Sequence, residues 1–348
     1  MISKILSVII PSYNVEMYLP KCLDSLIVRD YDLLKLLDVI VVNDGSKDRT
    51  SEIAHSFKLK YPDMFRVIDK ENGHYGSCIN AGLKIAKGYF TKILDADDSF
   101  CTESLSALLS ELLELVDVAA PIDMVLTPYA VVNEGGVISR NIGYDLNERI
   151  CYSIDDILPI APKIAMHAIA YRTNMIKEMG YRQTEGVSYT DTEWCFMPMT
   201  RVKRIRYSNN VVYKYLVGRE GQTVGKASTV RNFWMYQDLV ARLIGWQTQE
   251  ALSPIHKKYL DIRVESLCGY LYQTIIRWVP IKSALKEFDL LDKTLSRNQE
   301  VYNRLSKMTL SKVIQWRYVR FMRKHAHGRA LYLLQLRLYL GIKGLIIG

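Results

Sequence analysis

The chain has 348 residues, 49% of them apolar and 24% charged, which suits a globular protein of one large domain with an appendage, or of two domains. Its six scattered cysteines form no CxxC pair and no His/Cys cluster, which argues against a zinc site or a disulfide framework and fits a reducing cytoplasm. The formal charge of +9 is local: ten Lys or Arg and no Asp or Glu fall between Val301 and Gly348, and the remainder carries 36 basic against 37 acidic residues.

The first apolar run, Ile5 to Ile10, is too short for a signal-peptide core and ends at Pro11, so it is expected to be a strand. Val39–Val42, Phe65–Ile68 and Tyr89–Leu94 have the same character, and helical spacing lies between them at Leu19, Leu23, Leu26 and at Ile79, Leu83, Ala86. That alternation predicts βαβ units, hence an α/β fold with a mostly parallel, doubly wound sheet flanked by helices. Ligands of such sheets sit at the carboxyl ends of the strands. Polar residues gather at those ends here: Pro11-Ser12-Tyr13-Asn14, then Asn43 to Thr50, then Asp69 to Gly73, then Asp95-Ala96-Asp97-Asp98. A Leu-rich helix over Ser104–Val116 and a strand over Met124–Leu126 are expected next, with loops over Asn133–Asn147. His167 falls in an apolar stretch of helical spacing and is read as a core residue. Beyond about Ser228 helical patterns run to the end, so the chain divides into 1–225 and a helical, basic extension over 226–348. No run reaches the roughly 18 uninterrupted apolar residues of a membrane span.

Three carboxylates within four residues, Asp95, Asp97 and Asp98, repel one another unless a cation neutralises them. Mg²⁺ or Mn²⁺ prefers such oxygens and keeps positions open for phosphates, whereas the plainer use of the cluster is an acidic turn capping the next helix. Asp44 after the second strand can accept a hydrogen bond from a base N–H, Gly45 permits the turn, and Asp48 suits the start of a helix. Tyr13 offers a ring to stack on a base. No GxGxxG follows the first strand, which excludes the dinucleotide-binding version of the fold.

The ordered set SVIIPSYN, VVNDGSKDRT, INAGLKIAKGYF and KILDADD resembles the N-terminal half of family 2 glycosyltransferases of the GT-A fold, closely over residues 5–100 and more loosely to about 225. The resemblance implies an inverting, metal-dependent transferase using a nucleotide-diphosphate sugar, most often a UDP-sugar. It implies that Pro11, Ser12 and Tyr13 hold base and ribose, that Asp44 reads the base, that Asp95 contacts ribose, and that Asp97 holds Mn²⁺ or Mg²⁺. Asn80 would line the sugar-nucleotide cleft. At Asn72 to Gly76 and at Ile79 the chain departs from the family's glycine pair and following basic residue, and Lys70 is a substitute for that charge. Asp191, in Tyr189-Thr190-Asp191-Thr192-Glu193-Trp194, matches the position of the general base, with Glu193 as fallback and an N-terminal helix acid as the structural alternative. Tyr189 and Trp194 suit an acceptor platform or the core. Arg219, within Tyr213 to Thr223, matches a closing element whose cation would clamp the leaving diphosphate, or is a solvated loop residue.

Arg317, Arg320 and Lys324 share one helical stripe, and Leu331, Leu334 and Leu338 another. A basic amphipathic helix suits an anionic membrane surface, and these helices suit a subdomain or a dimer interface as well. With membrane contact, the acceptor expected is a lipid-linked glycan at the cytoplasmic leaflet, as in assembly of a bacterial capsule, exopolysaccharide or wall polymer. Two rivals remain. A sugar-phosphate nucleotidyltransferase requires a Gly-rich phosphate loop that PSYN does not provide. A non-catalytic carbohydrate- or nucleic-acid-binding protein would use the tail, but the acidic strand ends repel a phosphate backbone, so no nucleic-acid partner is expected.

Overall fold

A computed structural model describes residues 3–116, 118–148, 150–218, 226–249, 251–309, 317–325 and 327–347. The chain forms two compact units, Met1–Gln222 and Thr223–Gly348.

In the first unit, strands β1 (Leu6–Ser12), β2 (Leu37–Asn43), β3 (Phe65–Asp69) and β4 (Phe90–Ile93) run parallel in the order β3-β2-β1-β4. The sheet continues through β10 (Ile169–Arg172), antiparallel to both neighbours, then β6 (Met124–Leu126), β11 (Ile205–Tyr207) and β9 (Cys151–Tyr152). A second sheet takes the order β5 (Ser99–Phe100), β12 (Tyr213–Leu216), β7 (Tyr129–Val132) and β8 (Ile138–Ile142). Every residue of β2 is buried, and β1 is buried at all but one, as expected for parallel strands covered on both faces. The helix Thr102–Glu114 buries Leu105, Leu108, Leu109 and Leu112, one stripe at 3.6-residue spacing, each worth about 2 kcal/mol of burial.

The chain leaves β1 toward β2 and β3 on one side and returns to β4 on the other, so the topological switch falls at the carboxyl ends of β1 and β4. The turns after β1 and β2 are laced to each other: Asn14 N–H donates to Ser46 Oγ, Lys47 N–H to Asn14 Oδ1, and Glu16 N–H to Asp48 Oδ2.

Two sequence expectations need correction. Asn133–Asn147 is not all loop, because Ile138–Ile142 pairs with β7 around a turn closed by Gly136 N–H on Asn133 O. The side chains of Ile138 to Asn141 are exposed, so no apolar alternation marked the strand. His167 is not helical: it sits in a short 3-10 turn, Met166–Ala168, before β10. The apolar spacing there mimics a helix, but Ile169 onward is claimed by ladders to β4 and β6.

The second unit is helical, comprising Lys226–Arg231, Phe233–Gln249, Pro254–Arg277, Ile281–Leu295, Gln299–Leu305, Tyr318–Lys324 and Arg329–Ile347. Part of the tail's positive charge is consumed inside it. Arg304 pairs with Glu265 and Glu300, Arg323 with Asp292, Arg329 with Asp289, and the Arg337 guanidinium donates to the carbonyls of Ile275 and Ile276. Arg317, Arg320 and Lys324 are exposed, as are Leu331, Leu334 and Leu338, while Leu333 and Leu336 are buried. No helix among the described residues is long and apolar enough to cross a membrane.

The approach of β4 to β1 leaves no room at Gly88, where an added Cβ would lie 2.2 Å from Ser7 N. Gly88→Ala is expected to cost about 1–3 kcal/mol in urea unfolding. Gly143→Ala, whose Cβ meets nothing nearer than 3.9 Å, should cost less.

Candidate active site

Four strand ends converge on one cleft. Pro11, Ser12 and Tyr13 line a cavity of about 270 Å³ together with Asp44, Asn72, His74, Tyr75 and Cys78. Ser12 is buried and its carbonyl accepts the Asp44 N–H at 2.8 Å, whereas Tyr13 is 50% exposed. Asp44 is buried. Its Oδ1 accepts from Lys70 Nζ at 2.6 Å and from Gly73 N–H at 3.0 Å, whereas Oδ2 has no N–H or O–H donor among the described residues, the weakly donating Cys78 thiol being the carboxylate's other neighbour. A carboxylate anchored on one oxygen and open on the other can accept a ligand N–H. Lys70 also donates to Ser77 Oγ at 2.9 Å, so its charge is spent on fixing Asp44 and does not replace the basic residue absent at Ile79.

The acidic turn after β4 lies beside this cavity. Asp95, Asp97 and Asp98 each bring a carboxylate oxygen within 4.8 Å of the others. Asp98 is buried and held by both oxygens: Tyr213 Oη donates to one at 2.6 Å and Leu216 N–H to the other at 2.7 Å. Burial and the neighbouring charges of Asp95 and Asp97 push the Asp98 carboxyl well above the usual range. Asp95 and Asp97 are only half-buried. Tyr213 Oη accepts the Asp95 N–H at 3.1 Å, and Tyr75 Oη donates to Asp95 Oδ1 at 2.9 Å. An all-carboxylate set with two members facing outward suits a hard divalent cation, with Asp97 and Asp95 as holders and Asp98 as support.

Asp191 is exposed at the first position of the helix Asp191–Trp194, whose N-cap is Thr190. Its charge, like that of Asp95, raises the phenols of Tyr75 and Tyr215 above their ordinary values, after the larger effect of burial. The two carboxylates therefore lie within electrostatic reach of the same two rings. Glu193 is fully buried and accepts the Thr184 N–H at 2.8 Å, which removes it as an alternative base. Trp194 is also fully buried, against Tyr171 and Tyr181, so it is core and offers no acceptor platform. Tyr189 is half-buried with φ +62°. Asn80 is not among the cavity's lining residues. Its amide donates to Gln183 O and Glu185 Oε1 and accepts the Gln183 N–H, tying the helix His74–Ile85 to the segment that leads to Asp191. Arg219 lies outside the described residues.

Sequence reasoning missed the cluster behind the acidic turn. Lys92 is fully buried in β4, donates to His167 O at 2.6 Å, and is pushed down to about 7 by burial. The His167 ring stacks on Tyr215 at 4.4 Å and packs against Tyr213 at 4.6 Å, and its buried Nδ1 finds no partner among the described residues. Burial, with Lys92 nearby, pushes this imidazole down to about 3. No local pattern announces these contacts, since Lys92 and His167 are 75 residues apart.

A doubly wound sheet with a base-sized cavity and a carboxylate cluster at its switch point is the GT-A arrangement. Residues 7–127 match the model of the family described as Glycosyl transferase family 2. The sequence is 42% identical over 100 residues to the uncharacterized glycosyltransferase MG025 of Mycoplasma genitalium, covering 28% of this chain and 33% of MG025. It is 28% identical over 233 residues to the poly(ribitol-phosphate) beta-N-acetylglucosaminyltransferase TarS of Staphylococcus aureus, covering 64% of this chain and 37% of TarS. The match thus spans about a third of the length of these relatives. The crystal structure of TarS 1–349 superposes with TM-score 0.69 at 18% identity over 97% of this chain and 92% of that one, which shows the shared fold.

Because His167 is held neutral, folding stability from this group is fully present above about pH 6.5 and lost as the pH falls toward 3, at up to about 1.4 kcal/mol per pH unit. His167→Phe, which keeps a ring against Tyr215, is expected to flatten that part of the pH profile of unfolding free energy. An unchanged profile would contradict it.

Proposed function

We propose that the chain is an inverting glycosyltransferase that moves a sugar from a nucleotide diphosphate, a UDP-sugar, to an acceptor hydroxyl. The observation that carries this reading is the convergence of two groups at one switch point, Asp44 in its cavity and the half-buried Asp95 and Asp97 beside it, joined by Tyr75, which lines the cavity and donates to Asp95; the charge of the exposed Asp191 reaches the same tyrosine. The match of residues 7–127 to the family 2 model supports it, as do TarS crystals in complex with UDP-GlcNAc and similarity to the hyaluronan synthase of Pasteurella multocida, 26% identical over 227 residues.

In this mechanism Pro11, Ser12 and Tyr13 seat the nucleoside, and Asp44 Oδ2 accepts the base N–H. Asp95 meets the ribose. Asp97 with Asp95 would hold a divalent cation, Mn²⁺ or Mg²⁺, which would supply positive charge against the diphosphate. Asp191 accepts the proton of the acceptor hydroxyl as its oxygen bonds the anomeric carbon. The bond from that carbon to the diphosphate breaks on the opposite face, its electron pair leaving with UDP, so the configuration inverts. Arg219 belongs to this reading as a clamp on the departing diphosphate. Residues 1–225 carry the transfer.

Residues 226–348 then hold the enzyme on the cytoplasmic face of an anionic membrane, where a lipid-linked glycan of a bacterial capsule, exopolysaccharide or wall polymer is the acceptor. Exposed Arg317, Arg320 and Lys324 and the exposed leucines of Arg329–Ile347 support this placement.

Two measurements test the proposal. Asp191→Asn should lower the turnover of donor into product about 10²–10⁴-fold while the donor KM moves little, and full turnover in that variant would remove Asp191 as the base. Replacing Arg317, Arg320 and Lys324 together by Gln should weaken binding to phosphatidylserine-containing vesicles by roughly two orders of magnitude at low salt, at about 1 kcal/mol per charge. Unchanged sedimentation with vesicles would remove the membrane role.

A further inference from the structure

We infer that the first unit carries a second binding site, for a phosphate-bearing anion, at the end of the sheet opposite the cleft. The site is a cavity of about 700 Å³ whose charged lining is Asp123, Arg172, Glu178, Arg201, Lys203 and Arg204. Strand register fixes its place. Arg172 pairs with Phe90, the first residue of β4, while Asp123 and Arg204 directly precede Met124 and Ile205, which pair where β6 and β11 begin. Asp95 follows the other end of β4. At about 3.3 Å per residue, the cavity and the acidic turn lie roughly 16 Å apart along that strand. None of the residues assigned to donor or acceptor lines this cavity.

Its charge is uneven. Asp123 is buried and already satisfied: Oδ1 accepts from the Arg172 guanidinium at 2.8 Å, and Oδ2 from the N–H groups of Lys203 at 2.9 Å and Arg204 at 3.2 Å. With Arg172 set against Asp123, three cations, Arg201, Lys203 and Arg204, face one acid, Glu178, a formal excess of two. Arg204 is more than part of a solvated face. Its Nε is buried and finds no acceptor among the described residues. A desolvated guanidinium nitrogen without an acceptor is costly, and an anion in the cavity would offset that cost. The backbone beneath is fixed, because the Arg204 carbonyl accepts the Asp123 N–H at 2.9 Å and the Met124 N–H at 3.2 Å. The side chain is thus presented from a rigid strand end. One guanidinium would match a carboxylate, whereas several converging cations suit an anion of higher charge with more acceptor oxygens, as phosphate is. The volume leaves room for the group that carries the phosphate, and Met175 and Met179 give it an apolar wall.

The test uses the full-length chain, without divalent metal, carrying isotope-labelled methionine methyl groups. Inorganic phosphate, a short-chain phosphatidylglycerol below its micelle concentration, and acetate are titrated in turn by NMR. The methyl signals of Met175 and Met179, assigned by replacing each with Leu, report on this cavity directly. Phosphate or the lipid is expected to shift them saturably, with an affinity at least tenfold above that of acetate. Tighter binding of inorganic phosphate assigns the site to a free phosphate compound, and tighter binding of the lipid assigns it to a headgroup. The side chains of Lys203 and Arg204 make no hydrogen bond among the described residues, so Lys203→Gln and Arg204→Gln should melt with wild type. Each should weaken binding about fivefold, while Glu178→Gln should tighten it about threefold. No saturable shift with either phosphate probe, an affinity equal to that of acetate, or unchanged affinity in all three variants would overturn the site.

Discussion

Three carboxylates with oxygens inside 4.8 Å repel one another, and the cleft is arranged around that repulsion. Asp98 is removed from the conflict by burial and by two short hydrogen bonds, from Tyr213 Oη and Leu216 N–H. The same Tyr213 hydroxyl receives the Asp95 amide, so one phenol fixes both ends of the acidic turn. What is left facing the cleft is Asp95 and Asp97, a concentrated negative charge whose natural complement is a divalent cation with phosphate oxygens on its open side. Tyr213 is buried against Phe100 and His167, so the turn's geometry is set by the second sheet and the core, not by the turn itself.

The base end of the cleft is arranged by the opposite logic. There the charge is single and already compensated: Lys70 neutralises Asp44 through Oδ1 and leaves Oδ2 directed to a hydrogen bond. Recognition at this end is therefore by geometry, at the other by charge. Between them Tyr75 touches both, lining the nucleoside cavity and donating to Asp95. Three non-glycine residues have positive φ in the described chain, Asn14, His74 and Tyr189. Asn14 follows the Pro11–Tyr13 wall, His74 lines the cavity, and Tyr189 precedes Asp191, a concentration at the functional face that accords with strain held where geometry matters.

Much of the frame was legible in the residues. The strands through Leu94 were marked by short apolar runs, Met124–Leu126 was placed to the residue, and the polar strand ends mark the cleft because a parallel sheet collects its carboxyl ends on one edge. What escaped was nonlocal or unpatterned. Tyr213 and Asp98 are 115 residues apart, and Asn80 and Gln183 are 103 apart, so no window on the sequence reveals either contact. Lys70 was read as a phosphate contact because its charge is visible and its partner is not. Glu193 and Trp194 looked available beside Asp191, but a single helical turn buries every residue on one side of it. The strand Ile138–Ile142, exposed from Ile138 to Asn141, lacked the alternation by which strands are recognised.

The claim on which everything else rests is that Asp44 and the Asp95–Asp97 pair bind one nucleotide diphosphate together with a cation. Calorimetric titration of UDP into the full-length chain, with and without Mn²⁺, in wild type and Asp97→Asn, tests it most directly. The account requires tight binding only in wild type with Mn²⁺, and binding at least tenfold weaker when either the ion or the Asp97 carboxylate is removed. Equal UDP affinity in all four combinations would contradict it and separate the acidic turn from the nucleotide site.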